Sequence, residues 1–357
     1  MKNKIALLIT IVILILSLCG CSLLFEDKAL INSAPLGEDV GLAVHFIDVG
    51  QGDSILIESK GEFALIDGGE YKEKDNLIGY LDNVDIDCIN YVFSTHPHSD
   101  HCGGLSEVIR NFPCGTLVYP DVDTESNTWE YVLDAADERG VDFLIPEPGD
   151  VFQVGSATIT VFSPEGNSVY SSLNDYSIVC KVEYGNTSVL LTGDAEKIVE
   201  KELLRSGFDL EADVYKCGHH GSSTSNSDAF LDAVNPSAAI ISCGKNNDYG
   251  HPHKEVKKAL KDRDIPVWRT DESGTIVMYS DGENISIGPA GSDAVELTEG
   301  TYTPSDSASY IGNKNSKVFH KEDCGSVQNT KEKNKVYFES RDAATEQDFT
   351  PCKECNP

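Results

Sequence analysis

Apolar and polar positions along the middle of this chain follow two periods, one suited to strands and one to helices. Leu42 to Asp48 and Ser54 to Glu58 are rich in β-branched residues, with partial period-two alternation, and read as strands. Phe63 to Asp67 follows, closed by Gly68-Gly69, and Ile89 to Ser94 is a buried-type strand that runs directly into a histidine cluster. Gly103 to Asn111 reads as a helix, Thr116 to Tyr119 as a strand, and Thr128 to Glu138 as a helix ended by Gly140. The second half repeats the style. Ala157 to Phe162, Ser177 to Glu183, Ser188 to Leu191, Val214 to Lys216 and Ala238 to Ser242 are expected strands. Ala195 to Arg205, with Asp194 at its N-cap, Asp228 to Val234 and Glu255 to Asp262 are expected helices. Thr275 to Ser280 and Asn284 to Ile287 flank Asp281-Gly282, a hairpin turn signal. Two half-units of strands and then helices predict an α/β sandwich, sheet on sheet with helices outside, over residues 41–288.

Outside this block the pattern changes. Lys2 and Lys4 precede an apolar run from Ile5 to Leu18, shorter than the roughly 20 residues of a membrane span. The run ends in Leu18-Cys19-Gly20-Cys21, which resembles the bacterial lipoprotein cleavage box. That resemblance implies a signal peptide over residues 1–21, lipidation of Cys21, a tether over 22–40, and a protein anchored by lipid at the outer face of the cell membrane. Residues 289–308 are rich in Gly, Ser, Thr, Pro and acids and read as a linker. A small second module follows over 309–357.

Length and composition add bounds. A chain of 357 residues, 40% hydrophobic and 24% charged, is globular in composition and allows one large domain or two ordinary ones. The net charge of −31 opposes nonspecific adhesion to nucleic acid or anionic lipid. It argues against tight, processive DNA binding but not against phosphodiester hydrolysis, where metals and local basic groups would have to overcome a repulsive field. Of the eleven cysteines, Cys88, Cys102, Cys114, Cys180, Cys217 and Cys243 show no framework spacing, so no disulfide pairing follows.

The chemistry concentrates in Thr95-His96-Pro97-His98-Ser99-Asp100-His101. Three imidazoles and a carboxylate within six residues, just after a buried strand, would be costly to desolvate unless they hold a cation. Nitrogen and carboxylate donors together suit zinc, manganese or iron.

His96-x-His98-x-Asp100-His101 with Gly103-Gly104, then Leu191-Thr192-Gly193-Asp194 and Gly218-His219-His220-Gly221, resembles the signature of the metallo-β-lactamase superfamily. The resemblance implies an αββα sandwich and two divalent metals, zinc or manganese. His96 and His98 would hold metal one, and Asp100 and His101 metal two. Asp194 would bridge, with His219 or His220 as the late ligand; spacing does not choose between them. Most members supply one more histidine to metal one about twenty residues before the bridging Asp. Here that region reads Ser172-Leu173-Asn174-Asp175-Tyr176-Ser177, where Asp175, Asn174 or water would substitute. A site richer in oxygen leans toward manganese.

His45 to Ser54, Ile66-Asp67-Gly68-Gly69, Asn174-Asp175-x-Ser177, Gly218 to Ser225 and Tyr249-Gly250-His251-Pro252-His253 further resemble the hydrolase domain of ComEC-type competence proteins. The membrane channel portion of those proteins has no counterpart here, so DNA uptake is not carried over. The implied mechanism is in-line attack by a hydroxide activated between two metals ~3.5–4 Å apart. Asp100 and Asp194 are then catalytic through the metals, and His251 or His253 is the candidate to neutralise or protonate the leaving oxygen. Ser222, Ser223 and Thr224 could hydrogen-bond phosphate oxygens or form a plain polar loop. Asp48, Asp53 and Asp67 would orient the site or shape turns.

In the C-terminal module, His320-x3-Cys324 and Cys352-x2-Cys355 form a four-ligand pattern for structural zinc. Tyr310 to Asn313, Val318-Phe319-His320, Phe338, Ser340-Arg341 and Pro351-Cys352-Lys353 resemble the metal-binding domain of Ada. That family uses four Cys; His320 stands at the first position here, so methyl transfer is not inferred. From Ser307 onward there are eight basic and eight acidic residues. Lys314, Lys317, Lys321, Lys331, Lys333, Lys335 and Arg341 are candidate phosphate contacts, against a plain solvated surface.

The expected function is a lipid-anchored extracellular phosphodiesterase or nuclease, with nucleic acid or another phosphodiester as substrate. The alternatives are hydrolysis of a cell-wall or lipid phosphoester, or a non-catalytic, membrane-anchored metal-containing binding protein.

Overall fold

A computed structural model describes residues 40–166, 168–292 and 295–296. In the C-terminal segment it describes 310–314, 316–321, 324, 327, 330, 334–338, 341–345, 347, 349–353 and 355. The expected signal peptide, Cys21, most of the tether, Lys331 and Lys333 lie outside the described residues. Among the described residues no helix is long and apolar enough to cross a membrane.

The chain builds β1 (Leu42–Phe46), β2 (Ile55–Ser59), β3 (Glu62–Ile66), β4 (Ile89–Phe93), β5 (Cys114–Val118) and β6 (Asp142–Leu144). It continues with β7 (Val151–Val154), β8 (Ala157–Ser163), β9 (Val179–Tyr184), β10 (Thr187–Leu191), β11 (Val214–Lys216), β12 (Ala238–Ile241) and β13 (Val267–Arg269). The hairpin β14 (Ile276–Ser280) and β15 (Ile285–Pro289) then returns to β1, and β16 (Val295–Glu296) adds an edge inside the segment expected as linker. Among the described residues one sheet runs β16-β15-β14-β1-β2-β3-β4-β5-β6 and the other β13-β12-β11-β10-β9-β8-β7.

Alternation decides which face each strand buries. Leu42, Val44 and Phe46 of β1 join Ile57, Ile66, Phe93, Ile159, Val182, Leu191, Ile240 and Met278 between the sheets. The opposite face of the first sheet packs Leu56, Leu65 and Val92 against α1 (Lys74–Val84), α2 (Leu105–Asn111) and α3 (Asn127–Arg139). The opposite face of the second packs Leu190, Tyr215 and Ala239 against α4 (Lys197–Ser206), α5 (Asp228–Val234) and α6 (Lys254–Lys261). The result is the expected αββα sandwich.

Asp194 is not the cap of α4. That helix starts at Lys197 with Glu196 at its N-cap, because Ala195 N–H donates to Thr192 O and keeps the chain in a turn past Asp194. The glycine pairs have a packing reason: a Cβ on Gly104 would stand 2.2 Å from Gly68 O, so two turns that carry site residues meet backbone to backbone.

Strands β3 to β6 are parallel, as are β10 to β13. The loops after β4, β10, β11 and β12 therefore leave the sandwich at the carboxyl ends of their strands, where α/β sheets place ligands. The C-terminal module has its own sheet of β17 (Tyr310–Asn313), β18 (Val318–Lys321), β19 (Lys335–Phe338) and β20 (Thr350–Pro351), in the order β19-β17-β18-β20. Two small clusters, one around Ile311 and Val327 and one around Phe319, Phe338 and Phe349, form its interior. The described cysteines are free thiols.

Candidate metal centre

Four loops converge on Asp194. Its carboxylate, 2% exposed, divides its two oxygens. Oδ1 lies 3.2 Å from His101 Nε2 and 3.5 Å from His220 Nε2, and that same His220 nitrogen is 3.4 Å from Asp100 Oδ2. Oδ2 lies 3.9 Å from His96 Nε2 and 3.6 Å from His219 Nε2. On this second side His98 Nδ1 lies 2.9 Å from His96 Nε2.

The Asp194 Oδ1 side fits a cation. Asp100, His101, Asp194 and His220 each turn one ligand atom into a cluster in which all lie within 4.8 Å of one another. The 3.2, 3.4 and 3.5 Å separations match the ~3.4 Å expected between donors around a tetrahedral ion with bonds of about 2.1 Å. His101 Nε2, Asp194 Oδ1 and His220 Nε2 are all buried without a hydrogen-bond partner. Buried polar atoms without partners are rare and costly, and here they face one another.

Protons compete for the same atoms. Burial alone would lower the pKa of His220, but Asp194, Asp53 and Asp100 outweigh it and push the imidazole up to about 10. Burial also opposes charge on His101, and Asp194 and Asp67 outweigh it in the same direction. A cation takes the place of those protons, so binding releases them. Burial holds His96 well below the usual imidazole range, with the neighbouring His101 adding to the effect, so His96 is neutral and ready to donate a lone pair.

Outer hydrogen bonds fix each ring. Asp67 Oδ2 is 2.7 Å from His101 Nδ1, and the same carboxylate accepts from the Thr95 N–H and hydroxyl, each at 2.7 Å. His220 Nδ1 lies 3.0 Å from Ser242 O and 3.3 Å from Asp53 Oδ1. His96 Nδ1 has Thr95 Oγ1 at 3.1 Å and Ser177 Oγ at 3.3 Å, and Asp194 N–H donates to that Ser177 hydroxyl. Asp48 is exposed and accepts from Gly50 N–H, so of the three carboxylates expected to orient the site or shape turns it does the latter.

Lys216 was not singled out in the sequence. It is fully buried, and its Nζ donates to Asp53 Oδ2 at 2.9 Å and to Cys217 O at 3.1 Å. A lysine closing a buried strand was the available signal, since such a charge requires a partner.

The double histidine resolves in an unexpected way. His219 (φ 52°, ψ 49°) and His220 (φ 54°, ψ 27°) are consecutive left-handed residues, a conformation that costs on the order of 1–2 kcal/mol each for non-glycine residues. Asn226 holds the turn: its Nδ2 donates to Gly218 O and Ser222 O, and its Oδ1 accepts from Gly218 N–H. The buried Glu200 carboxylate in turn accepts the Asn226 and Ser227 backbone N–H groups. Two left-handed residues in succession send the two rings to opposite sides of Asp194.

Asp175 does not approach the cluster through any described contact. Its Oδ1 accepts the Glu196 N–H, tying down the chain before α4. Ser222, Ser223 and Thr224 do not stand free for phosphate: their hydroxyls lie against Thr224, His253 and His219 respectively. His251 is 8% exposed, with Nδ1 lacking a partner and its ring 5.5 Å from His219 and 6.0 Å from His220. Burial lowers its pKa to about 4, with His220, His219 and His253 adding to the effect. The ring is therefore neutral at pH 7, and donating a proton as imidazolium would need an added negative charge beside it. It borders a cavity also lined by Asn246, Asn247, Lys257 and Arg269.

In the C-terminal module, His320, Cys324, Cys352 and Cys355 bring one ligand atom each within 4.8 Å of one another, with His320 Nδ1 3.4 Å from Cys324 Sγ. Burial and the adjacent Cys324 and Cys352 raise the Cys355 thiol to about 11. A cation reverses that by stabilising thiolates.

Residues 47–245 match the family model described as the metallo-beta-lactamase superfamily, and residues 302–357 match the metal binding domain of Ada. ComE operon protein 3 of Bacillus subtilis is 36% identical over 251 residues, covering 65% of this chain and 32% of that protein. Recombination protein 2 of Haemophilus influenzae is 31% identical over 271 residues, covering 73% of this chain and 31% of that protein. The chain thus spans about a third of the length of these curated relatives. Among solved structures, the metallo-beta-lactamase fold protein YhfI of Bacillus subtilis covers 67% of this chain and 100% of its own, at 14% identity and a TM-score of 0.48. The chain belongs to the metallo-beta-lactamase superfamily as a metal-dependent hydrolase related to competence proteins, and it carries an Ada-like zinc-binding module.

Proposed function

We propose that this protein is an extracellular phosphodiesterase or nuclease, anchored to the outer face of the membrane by lipid on Cys21. The observation that carries the hydrolytic part is Asp194: one buried carboxylate whose oxygens face two separate groups of nitrogen donors. When bound, two divalent cations, zinc or manganese, supply a nucleophile at neutral pH and Lewis acidity toward a phosphoryl oxygen. The chain's own residues do the rest. Asp100, His101, Asp194 and His220 hold one cation, and His96, His98 and Asp194 hold the other. Asp67 and Asp53 fix the His101 and His220 rings through Nδ1.

His251 stands beside this cluster with its Nδ1 lacking a hydrogen-bond partner, which suits it to meet the leaving group. An anionic phosphodiester next to it favours the protonated ring and so restores a proton donor for the departing alkoxide. The adjoining cavity carries Lys257, Arg269 and Arg341, with Arg269 paired to Asp271 and Glu272 on the same wall. The C-terminal module is the accessory part, folded around one structural zinc and a candidate contact for nucleic acid.

The test is the purified full chain, loaded with manganese or zinc, against DNA, RNA, a chromogenic phosphodiester and a β-lactam. Phosphodiester cleavage lost in Asp194→Ala, with the fold retained by circular dichroism, is the expected result. Cleavage of the β-lactam alone, or wild-type phosphodiester rates and two metals in Asp194→Ala, overturns the proposal.

A further inference from the structure

The geometry points to His219 as a ligand of metal one, filling through Nε2 the position for which the Ser172–Ser177 segment offers no histidine. This rests on the two-metal reading above and gives metal one a residue that the sequence offered only as an alternative to His220 for the late ligand. Four observations carry it. His219 Nε2 lies 3.6 Å from Asp194 Oδ2, the oxygen that faces His96, while His220 takes the Oδ1 side. The 3.6 Å separation is close to the ~3.4 Å between donors of a tetrahedral ion with bonds of about 2.1 Å. The far nitrogen of the ring, Nδ1, is tied as a ligand histidine's usually is: Thr224 Oγ1 lies 3.0 Å away, Glu196 Oε1 3.4 Å and Asn174 Nδ2 3.5 Å. The backbone is left-handed at both His219 and His220, and with it the neighbouring rings face different oxygens of one carboxylate.

The Ser172–Ser177 segment has a different task in this arrangement. Asp175 does not replace the missing histidine as a donor; Asn174, whose buried Oδ1 has no hydrogen-bond partner, is the rival donor, and on the His219 assignment Asn174→Ala should leave the metal count unchanged. Asn174 reaches the Nδ1 side of His219 and the side chain of Glu196, and Asp175 fixes the Glu196 backbone. Through Asn174 Nδ2 and Asp175 Oδ1 the segment positions His219 and the turn before α4.

The experiment counts metals on the full chain, apart from activity. Wild type should hold three per chain: two in the hydrolase domain and one in the module. His219→Asn suits the left-handed backbone, since Asn tolerates it, and should hold two. With cobalt(II) as the probe, the visible spectrum of His219→Asn should match that of His98→Asn and differ from that of Asp100→Asn. Thr224→Val, which frees the ring without touching the ligand, should weaken the same metal by ~10–100-fold. Three metals with wild-type affinity in His219→Asn overturn the inference, as does loss of the same cobalt signal as in Asp100→Asn. An unfolded His219→Asn with unchanged affinity in Thr224→Val overturns it equally. A wild type holding only one hydrolase-domain metal removes the two-metal reading itself, which separates that failure from failure of the His219 assignment.

Discussion

Replacing Lys216 by Met tests whether the buried ion pair behind the metal cluster supports the fold. Lys216 Nζ is fully buried and donates to Asp53 Oδ2 at 2.9 Å, joining the end of β11 to the loop before β2. Removing one member of such a pair leaves a buried charge uncompensated and costs about 3–5 kcal/mol. The pKa of Asp53 points the same way. Burial alone would raise it, but Lys216 and then His220 outweigh burial and bring it from 3.8 down to about 2. That depression corresponds to roughly 2 kcal/mol of stability at neutral pH, lost as pH falls from about 4 toward 2. In Lys216→Met the carboxylate loses its main partner and its pKa rises, so acidification protonates it and relieves the variant. The deficit against wild type should therefore be full at pH 7 and narrow at lower pH. Urea titration reports it directly, because Trp129 and Trp268 are both buried in the hydrolase domain. The double variant Lys216→Met/Asp53→Asn removes both charges, keeps an acceptor toward His220, and should recover at least half of the loss. A deficit below about 0.5 kcal/mol, or one that does not change with pH, would refute the ion-pair account.

Three further outcomes follow from the same geometry. His251→Ala should keep the full metal content and lose ~10²–10⁴-fold in turnover on a phosphodiester with a poor leaving group, with most of the loss rescued by a nitrophenolate; loss of metal would make His251 a ligand instead. Cys352→Ala in the full chain should release one zinc and unfold only the module, leaving the hydrolase-domain metals in place; elemental analysis with and without chelator decides this, and an unchanged zinc count would refute it. Cys21→Ser should move the protein from the membrane to the soluble fraction, and a mature N-terminus elsewhere without lipid would remove the anchor.

The sequence made some parts of this molecule plain and hid others for identifiable reasons. Val214–Lys216 and Asp228–Val234 have the expected bounds because buried β-branched runs and a capped apolar face leave few alternatives. The ligand motifs were legible because each follows a strand, and strand ends converge in a parallel sheet. The helix Lys74–Val84 was missed: no side chain caps its first turn, and it stops at Asp85 in a left-handed conformation without glycine. Strands Asp142–Leu144, Val151–Val154 and Val267–Arg269 are too short for alternation to register. The division of labour between His219 and His220 could not be read, because it rests on backbone angles that neither residue type signals. Asn226 and Glu200, which enforce those angles, lie six or more residues away.

Charge at the centre reconciles an acidic chain with the anionic substrate proposed for it. Asp53, Asp67, Asp100 and Asp194 surround the cluster, and Lys216 is the cation paired among them. The four carboxylates and Lys216 sum to −3, the protonated His101 and His220 of the metal-free cluster bring it to −1, and two divalent cations in place of those two protons bring it to +1. Exposed charges farther than a Debye length of about 8 Å are largely screened at physiological salt. The field that the proposed phosphodiester would meet is therefore set chiefly by the metals, since Arg269 at the mouth is paired with Asp271 and Glu272, while the −31 of the whole chain acts mainly on nonspecific contacts. On this account metal occupancy controls substrate affinity as well as reactivity. The metal-free protein should repel the same phosphodiester that the loaded protein binds.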